Sequence, residues 1–508
     1  MPGSAEQNAS RRERLVADDK AFLWHPFTAM KAWRAGEPLV IESAEGFELI
    51  DSRGRRYIDG FSSLWCNLHG HRVERIDAAI REQLTRVAHS TLLGLASPPS
   101  IELARRLVEI APGSRRGEGI VPLRVAGVPP APPLCAVDLP VHRDAAGQEP
   151  RRAGRPGRDA HAACLSKVFF SDSGATAVEV ALKMAFQYWH NLGQPRSKFL
   201  ALRDGYHGDT LGSVSVGGID TFHALFRPLL FPATFVDSPN PYHHPAGDGA
   251  GEAVLRQMDQ ILSTAPGRYC AVILEPLIQA AAGMMTHPHG FLAGVRELTR
   301  RHEVLLIADE VATGLGRTGR LFACEHEAVV PDLLCLGKGL TGGYLPVAAT
   351  LATQEIFDAF LDGDEEGKTF YHGHTFTGNA LGCAAAVASV DLIFESGLLE
   401  KLPGKVRYVA SRLAELADHP HVGDIRQCGM MVGVELVSDR AAKRPFDAAR
   451  QIGSAVCRHA LRRGLMIRPL GDVVVLMPAP AMDDATLERM MSAVVDSVDE
   501  YFRDHPAV

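Results

Sequence analysis

The chain has 508 residues, 46% hydrophobic and 22% charged, with a formal net charge of -7 and a pI near 6.3. That length sets an expectation of two or more domains, the balance excludes wholesale disorder, and the mild acidity gives no electrostatic reason to expect nucleic acid or an anionic membrane as partner. The first twenty residues lack the apolar core of a signal peptide, no apolar run approaches the roughly 18 residues of a membrane span, and nine dispersed cysteines without a C-x-x-C pair fit reduced thiols of a cytoplasmic protein.

Taken in chain order, residues 47–61 read as short strands around the Ser52-Arg53-Gly54 turn. A capped helix is expected over 100–110. Residues 114–163 follow, rich in Pro, Gly, Arg and Ala and without periodicity, and are expected to form a disordered surface insertion with no chemistry. An apolar strand at 168–170 leads into an amphipathic helix at 175–189. Further strands are expected at 199–202, 271–274, 304–308 and 333–336, with helices at 251–264 and 291–301 between them. Strands that alternate with helices and carry little polar alternation predict a mostly parallel sheet covered on both faces. The fold class is therefore α/β, with a large domain over 63–395. Helices at 399–416, 448–463 and 484–502, with strand-like runs at 422–436 and 464–477, predict a smaller α+β domain formed by 396–508 together with 1–62.

The chemistry concentrates at predicted strand ends. Lys338, in Leu336-Gly337-Lys338-Gly339, stands just past an apolar strand. Ligands of open α/β sheets bind at that edge, and desolvation makes a lysine a usable nucleophile and base. Taken alone, a loop lysine at a strand end is the commoner meaning. Asp309 follows the strand at 304–308, and a carboxylate there needs a cation or strong donor; a helix cap or metal ligand is the plainer alternative. The next strand ends at Lys338 about one crossover later, so acid and lysine share one sheet edge. Pyridoxal phosphate uses such a pair: a lysine for its aldehyde and a carboxylate for its ring nitrogen. Ser171-Asp172-Ser173-Gly174-Ala175-Thr176 opens a helix whose N-terminus suits a phosphate, or is merely capped by Asp172 or Ser173. Tyr206, in Gly205-Tyr206-His207-Gly208, is placed to stack on a flat ring. His207 is expected to pack or hydrogen-bond rather than bind metal, and no metal is expected.

Gly314-Leu315-Gly316-Arg317-Thr318-Gly319 matches G-x-G-x-x-G. Five residues separate it from the preceding strand, whereas a dinucleotide fingerprint turns straight off the strand into a helix. A nicotinamide-dependent dehydrogenase is the alternative that this motif leaves open.

Together the motifs resemble the class III, fold-type I, pyridoxal-phosphate-dependent aminotransferases. Within that family the chain is similar to the branch acting on 8-amino-7-oxononanoate in biotin synthesis. The resemblance rests on Trp24-His25-Pro26-Phe27-Thr28, Ser62-Ser63-Leu64-Trp65, His69-Gly70-His71, Ala88-His89-Ser90-Thr91, Ser171–Gly174, Lys183-Met184-Ala185, Gln187-Tyr188-Trp189 and Gly205–Thr210. It continues through Glu275-Pro276 with Gln279, Asp309–Gly319, Leu336-Gly337-Lys338, His372–Gly378 and Arg468-Pro469. It implies a Schiff-base Lys338, Asp309 on the ring nitrogen, and Ser173, Gly174 and Ala175 on the phosphate. Tyr206 would stack on the ring, with Gln279 and His374 also at the cofactor. Thr375 would reach the phosphate of a neighbouring subunit, which makes an obligatory homodimer. Phe27, Leu64, Trp65, Tyr206, Lys338, Gly373 and Arg468 would bind substrate, Arg468 gripping the substrate's carboxylate. The implied reaction passes an amino group from a donor to 8-amino-7-oxononanoate, giving 7,8-diaminononanoate. S-adenosylmethionine is the commoner donor; Phe27 and Leu64, where Tyr and Trp are usual, look more like the variant that uses lysine. An ω-amino acid:pyruvate aminotransferase is the nearest other activity.

Overall fold

The structure is a computed structural model that describes residues 5–114, 164–361 and 367–506. The expected insertion at 114–163 thus falls, apart from Ser114, outside the described residues. Its flanks meet: Cys164 Sγ donates to Gly113 O at 3.2 Å.

Near the N-terminus β1 (Ile41–Glu45), β2 (Glu48–Asp51) and β3 (Arg56–Asp59) form an antiparallel meander. The chain then builds β4 (Leu165–Ser171), β5 (Lys198–Leu202), β6 (Thr234–Val236) and β7 (Tyr269–Leu274). A two-residue hairpin pair follows, β8 (Ile278–Gln279) and β9 (Met285–Thr286), and then β10 (Leu305–Asp309), β11 (Leu333–Leu336) and β12 (Ala348–Thr353). Seven of these make one sheet in the order β4-β12-β11-β10-β7-β5-β6. β12 runs antiparallel to both neighbours, β11 and β4; the other pairings are parallel.

Every residue of β7, β10, β11 and β12 is buried, as expected for strands covered on both faces. Alternate side chains divide between two cores. Ala271, Ile273, Leu305, Ile307 and Leu333 pack on Ala177, Val178, Ala181 and Leu182 of helix Gly174–Asn191. Val272, Leu306 and Leu334 face the opposite cluster, with Val254 and Met258 of helix Ala250–Thr264 and Val295 of helix Phe291–Arg301. Helix Gly174–Asn191 starts where it does because Ser173 and Thr176 form a reciprocal capping box.

The C-terminal segment adds β13 (Val422–Cys428), β14 (Met431–Leu436), β15 (Leu465–Met466), β16 (Arg468–Leu470) and β17 (Val473–Leu476). β13-β14-β17-β16 form a second sheet, and β15 joins β3 to complete β1-β2-β3-β15. The two ends of the chain therefore share a sheet. The structure adds elements that patterning does not predict, among them β6, β12 and the helices Ala5–Phe22, Glu74–Leu84 and Ala380–Glu395. The helix expected over 448–463 is Ile452–Arg462, preceded by Gln451 at φ +50.

Candidate active site

β10 and β11 are parallel neighbours with Asp309 opposite Cys335. Asp309 therefore closes one strand where Lys338 leaves the next, at the carboxyl edge of the sheet. Lys338 sits at φ +41, a left-handed conformation that costs a non-glycine residue on the order of 1–3 kcal/mol and persists only where the surroundings impose it. The surroundings here are tight: a Cβ on Gly339 would stand 3.0 Å from Leu68 Cγ, and one on Gly337 3.3 Å from Gly174 Cα. Burial pushes the Lys338 ammonium pKa down, against the opposing pull of Asp309 and Glu275. Its amine is thereby made easier to deprotonate than an exposed lysine's.

Asp309 is buried. Its Oδ2 lies 2.7 Å from His207 Nδ1, and Oδ1 accepts from Val311 N at 3.1 Å. His207, expected to pack or hydrogen-bond, does the latter and orients the carboxylate; the pairing with Asp309, across 102 residues, carried no sequence signal.

Three glycines from separate loops crowd together beside it. A Cβ on Gly174 would lie 2.4 Å from Val311 Cγ1, and one on Gly208, at φ +116, 2.3 Å from Ala175 Cβ; Gly337 abuts Gly174 as above. Side chains here would close the space between the helix N-terminus at Ser173-Gly174-Ala175 and the strand ends. The structure thus keeps the first backbone N–H groups of that helix beside Asp309 and Lys338, an arrangement suited to a phosphorylated ligand.

Tyr206 lies in the loop after β5. Its N–H donates to Glu275 Oε1 at 3.1 Å and its hydroxyl to Asp209 Oδ2 at 2.7 Å. Glu275 also accepts from Ala280 N at 3.0 Å; burial pushes its carboxyl up to about 7. Gln279 is fully buried. It donates to Arg203 O at 2.7 Å, just past β5, and accepts from Ser238 Oγ at 2.5 Å, just past β6, so its amide ties together the two strand ends beside Tyr206. Tyr206 meets Phe222 edge-on at 6.3 Å, and Phe222 meets Phe27 at 5.6 Å. Phe222 gave no sequence signal, yet it connects Phe27 to the site.

Residues 62–65 form a left-handed helical turn. Ser62, Ser63, Leu64 and Trp65 have φ values of +52, +48, +71 and +69. For L-residues this costs roughly 1–2 kcal/mol each, so the turn must be held from outside. Trp65 is buried and Leu64 half-exposed; Lys338 Nζ is 5.2 Å from the Trp65 ring centroid. Arg317, fully buried, donates to Asn67 O at 2.7 Å, Pro478 O at 2.9 Å and Ser62 Oγ at 3.2 Å. The Gly314–Gly319 motif therefore delivers a buried staple between three chain segments and opens no helix.

The remaining predicted residues are less gathered. Gly373 has nothing within 4 Å of an added Cβ. His374 Nδ1 is 3.0 Å from Asp172 Oδ2, beside the helix N-terminus, and Thr375 is exposed on the same segment. Arg468 is exposed on β16 opposite Val475, and Val475 packs in the cluster that contains Trp65.

A strand-end lysine opposite a hydrogen-bonded buried acid, beside a glycine-lined helix N-terminus and an aromatic loop, defines a pyridoxal-phosphate transferase site on a fold-type I scaffold. The class III aminotransferase family matches residues 30–121 and 158–498. The chain belongs to that family, whose cofactor is pyridoxal 5′-phosphate. It is 47% identical to the adenosylmethionine-8-amino-7-oxononanoate aminotransferase of Nitratidesulfovibrio vulgaris strain Hildenborough, over 96% of this chain and 82% of that one. The crystal structure of the enzyme so named from Methanocaldococcus jannaschii aligns with TM-score 0.82 and 38% identity, covering 96% of this chain and 99% of that one. The ω-transaminase of Pseudomonas jessenii in complex with PMP aligns with TM-score 0.83 at 28% identity, covering 96% and 98%.

Proposed function

We propose that the protein transfers an amino group to 8-amino-7-oxononanoate, forming 7,8-diaminononanoate for biotin synthesis, with S-adenosylmethionine as donor and lysine as its competitor. The observation that carries the transferase chemistry is the placing of Lys338 and Asp309 on one buried sheet edge. The substrate rests on relatives of that name matching over nearly the whole chain.

Pyridoxal phosphate, when bound, supplies an electron sink for the carbanion formed at the substrate carbon. Lys338 would hold it through Nζ and then serve as the base that moves the proton. Asp309 would keep the ring nitrogen protonated, with His207 fixing its carboxylate. Gly174 and Ala175 would offer backbone N–H groups to the phosphate, Ser173 and His374 would border it, and Gln279 would brace the loop that presents Tyr206 to the ring. Trp65, Phe27 and Leu64 would wall the substrate space and exclude water, and Arg468 would take a substrate carboxylate as a bidentate fork. One site serves both substrates in turn, so the kinetics are ping-pong.

The working unit in this reading is a homodimer, with Thr375 reaching the phosphate site of the partner and Gly373 lining the substrate space. Trp24, Leu93 and Tyr371, each more than four-fifths exposed in the single chain, are the side chains this reading assigns to the subunit contact. The chemistry is tested by supplying 8-amino-7-oxononanoate or pyruvate as acceptor with each donor and following product by mass. Diaminononanoate formation is expected; turnover with pyruvate and an ω-amino acid alone would assign the chain to the ω-aminotransferase branch instead.

A further inference from the structure

The turn at 62–65 strings four non-glycine residues in the left-handed region, and Trp65 at its end stands over Lys338. Something must hold it there. Its own backbone bonds, Trp65 N to Phe61 O and Cys66 N to Ser62 O, both at 2.9 Å, form in either hand and do not select the strained one. Ser62, at the start of the turn, is held by Arg317 and by Met477 O; Ser63, the next residue, is held by Asp59, the last residue of β3. One carboxylate oxygen accepts from Ser63 N at 2.9 Å and the other from Ser63 Oγ at 2.7 Å. The second oxygen also lies 3.0 Å from His71 Nε2, and His71 is bridged to Gly46 by its backbone. Asp59 is itself buried, and β3 is pinned by β15 with Asp59 beside Met466. The carboxylate therefore accepts from both hydrogen-bond donors of one residue in the turn, from a buried strand end paired to β15.

We propose that Asp59 is a positioning residue for transamination: with His71 behind it, it locks the left-handed turn so that Trp65 faces Lys338 while Leu64 faces outward, and so sets the shape of the substrate space. The proposal rests on the reading of Lys338 as the cofactor lysine and Trp65 as substrate wall. Asp59 touches neither cofactor nor substrate; it acts through Ser63.

Misplacing a wall by about an ångström can cost roughly a hundredfold in rate. Asp59→Ala should therefore lower kcat/KM by about that factor while the cofactor's dissociation constant stays within about threefold, since Asp309, Gly174 and Lys338 are untouched. Glycine adopts the left-handed region without strain. Adding Ser63→Gly to Asp59→Ala should therefore recover at least roughly tenfold of the loss, which a general folding defect would not allow. Should Asp59→Ala prove insoluble, Asp59→Asn, which keeps one acceptor oxygen, takes its place with the same glycine rescue. Wild-type protein that binds no cofactor at Lys338 would refute the underlying reading. Cofactor-loaded Asp59 variants within threefold of wild-type kcat/KM, or a double variant no better than the single, would overturn the positioning role alone.

Discussion

Charge placement at single residues decides the chemistry of the site. Asp309 is a buried carboxylate held by His207 Nδ1 at 2.7 Å. Replacing it by Asn leaves a neutral amide against that imidazole and removes the anion a ring nitrogen needs. Losing one partner of a buried ionic pair costs about 3–5 kcal/mol, roughly a thousandfold or more in rate when it falls on the transition state. Asp309→Asn should show that loss in single-turnover assays together with weak cofactor retention; activity within tenfold of wild type would remove the electron-sink role. His207→Phe keeps the carboxylate but deletes its charge-assisted bond, worth about 1.5–3 kcal/mol, so a milder loss of roughly tenfold to a hundredfold is expected. The donor question also sits at this scale. Phe27 lacks a hydroxyl and Leu64 an aromatic face, contacts worth about 0.5–1.5 kcal/mol each to an adenine-bearing donor. Phe27→Tyr combined with Leu64→Trp should shift preference toward S-adenosylmethionine over lysine by roughly tenfold to a hundredfold. No shift in half-reaction rates with either donor would take both residues out of donor selection.

Secondary-structure elements show what sequence patterning can and cannot reveal. β7, β10 and β11 were legible because unbroken apolar runs of strand length suit a sheet covered on both faces, and Lys338 and Asp309 were legible because they end such runs. β12 reads Ala348-Ala349-Thr350-Leu351-Ala352-Thr353; its small residues carry little strand propensity, and only packing between β4 and β11 makes it a strand. Helix Ala380–Glu395 is buried almost all round and so lacks the stripe that marks an amphipathic helix. The left-handed turn at 62–65 has no glycine or asparagine to announce it. Arg317 is invisible in sequence because its partners lie in distant segments; Asp59, only four residues from Ser63, is invisible because the left-handed turn that brings both of Ser63's donors to it has no sequence signal. Glu310 illustrates the energetic cost such tertiary elements carry. It closes the 310–324 loop by accepting from Ala323 N at 2.7 Å and Cys324 N at 2.8 Å, and burial pushes its carboxyl up to about 7. A raised folded-state pKa favours the protonated form. Its contribution to stability is full below the unfolded value of 4.5 and is lost as pH rises through about 7. The shift corresponds to about 3 kcal/mol. Thermal midpoints of Glu310→Gln should therefore fall less steeply than wild type between these pH values; parallel curves would contradict the assignment.

The whole molecule joins its two ends in one sheet, β1-β2-β3-β15, so the strand that carries Asp59 and the C-terminal strands beside Arg468 are fixed together. Where residues 115–163 leave and return, the described flanks touch, with Cys164 Sγ on Gly113 O. Joining Gly113 to Cys164 directly should give a folded protein that still binds pyridoxal phosphate; an insoluble or cofactor-free product would show that the excised segment is needed. The central claim is that one lysine, at the end of β11 and beside the end of β10, carries the cofactor. Borohydride reduction of the protein loaded with pyridoxal phosphate, followed by peptide mass spectrometry, tests it directly. The phosphopyridoxyl mass is expected on Lys338, absent together with the visible absorbance band in Lys338→Ala. Stable modification of a different lysine, or an unchanged band and normal turnover in Lys338→Ala, would contradict it.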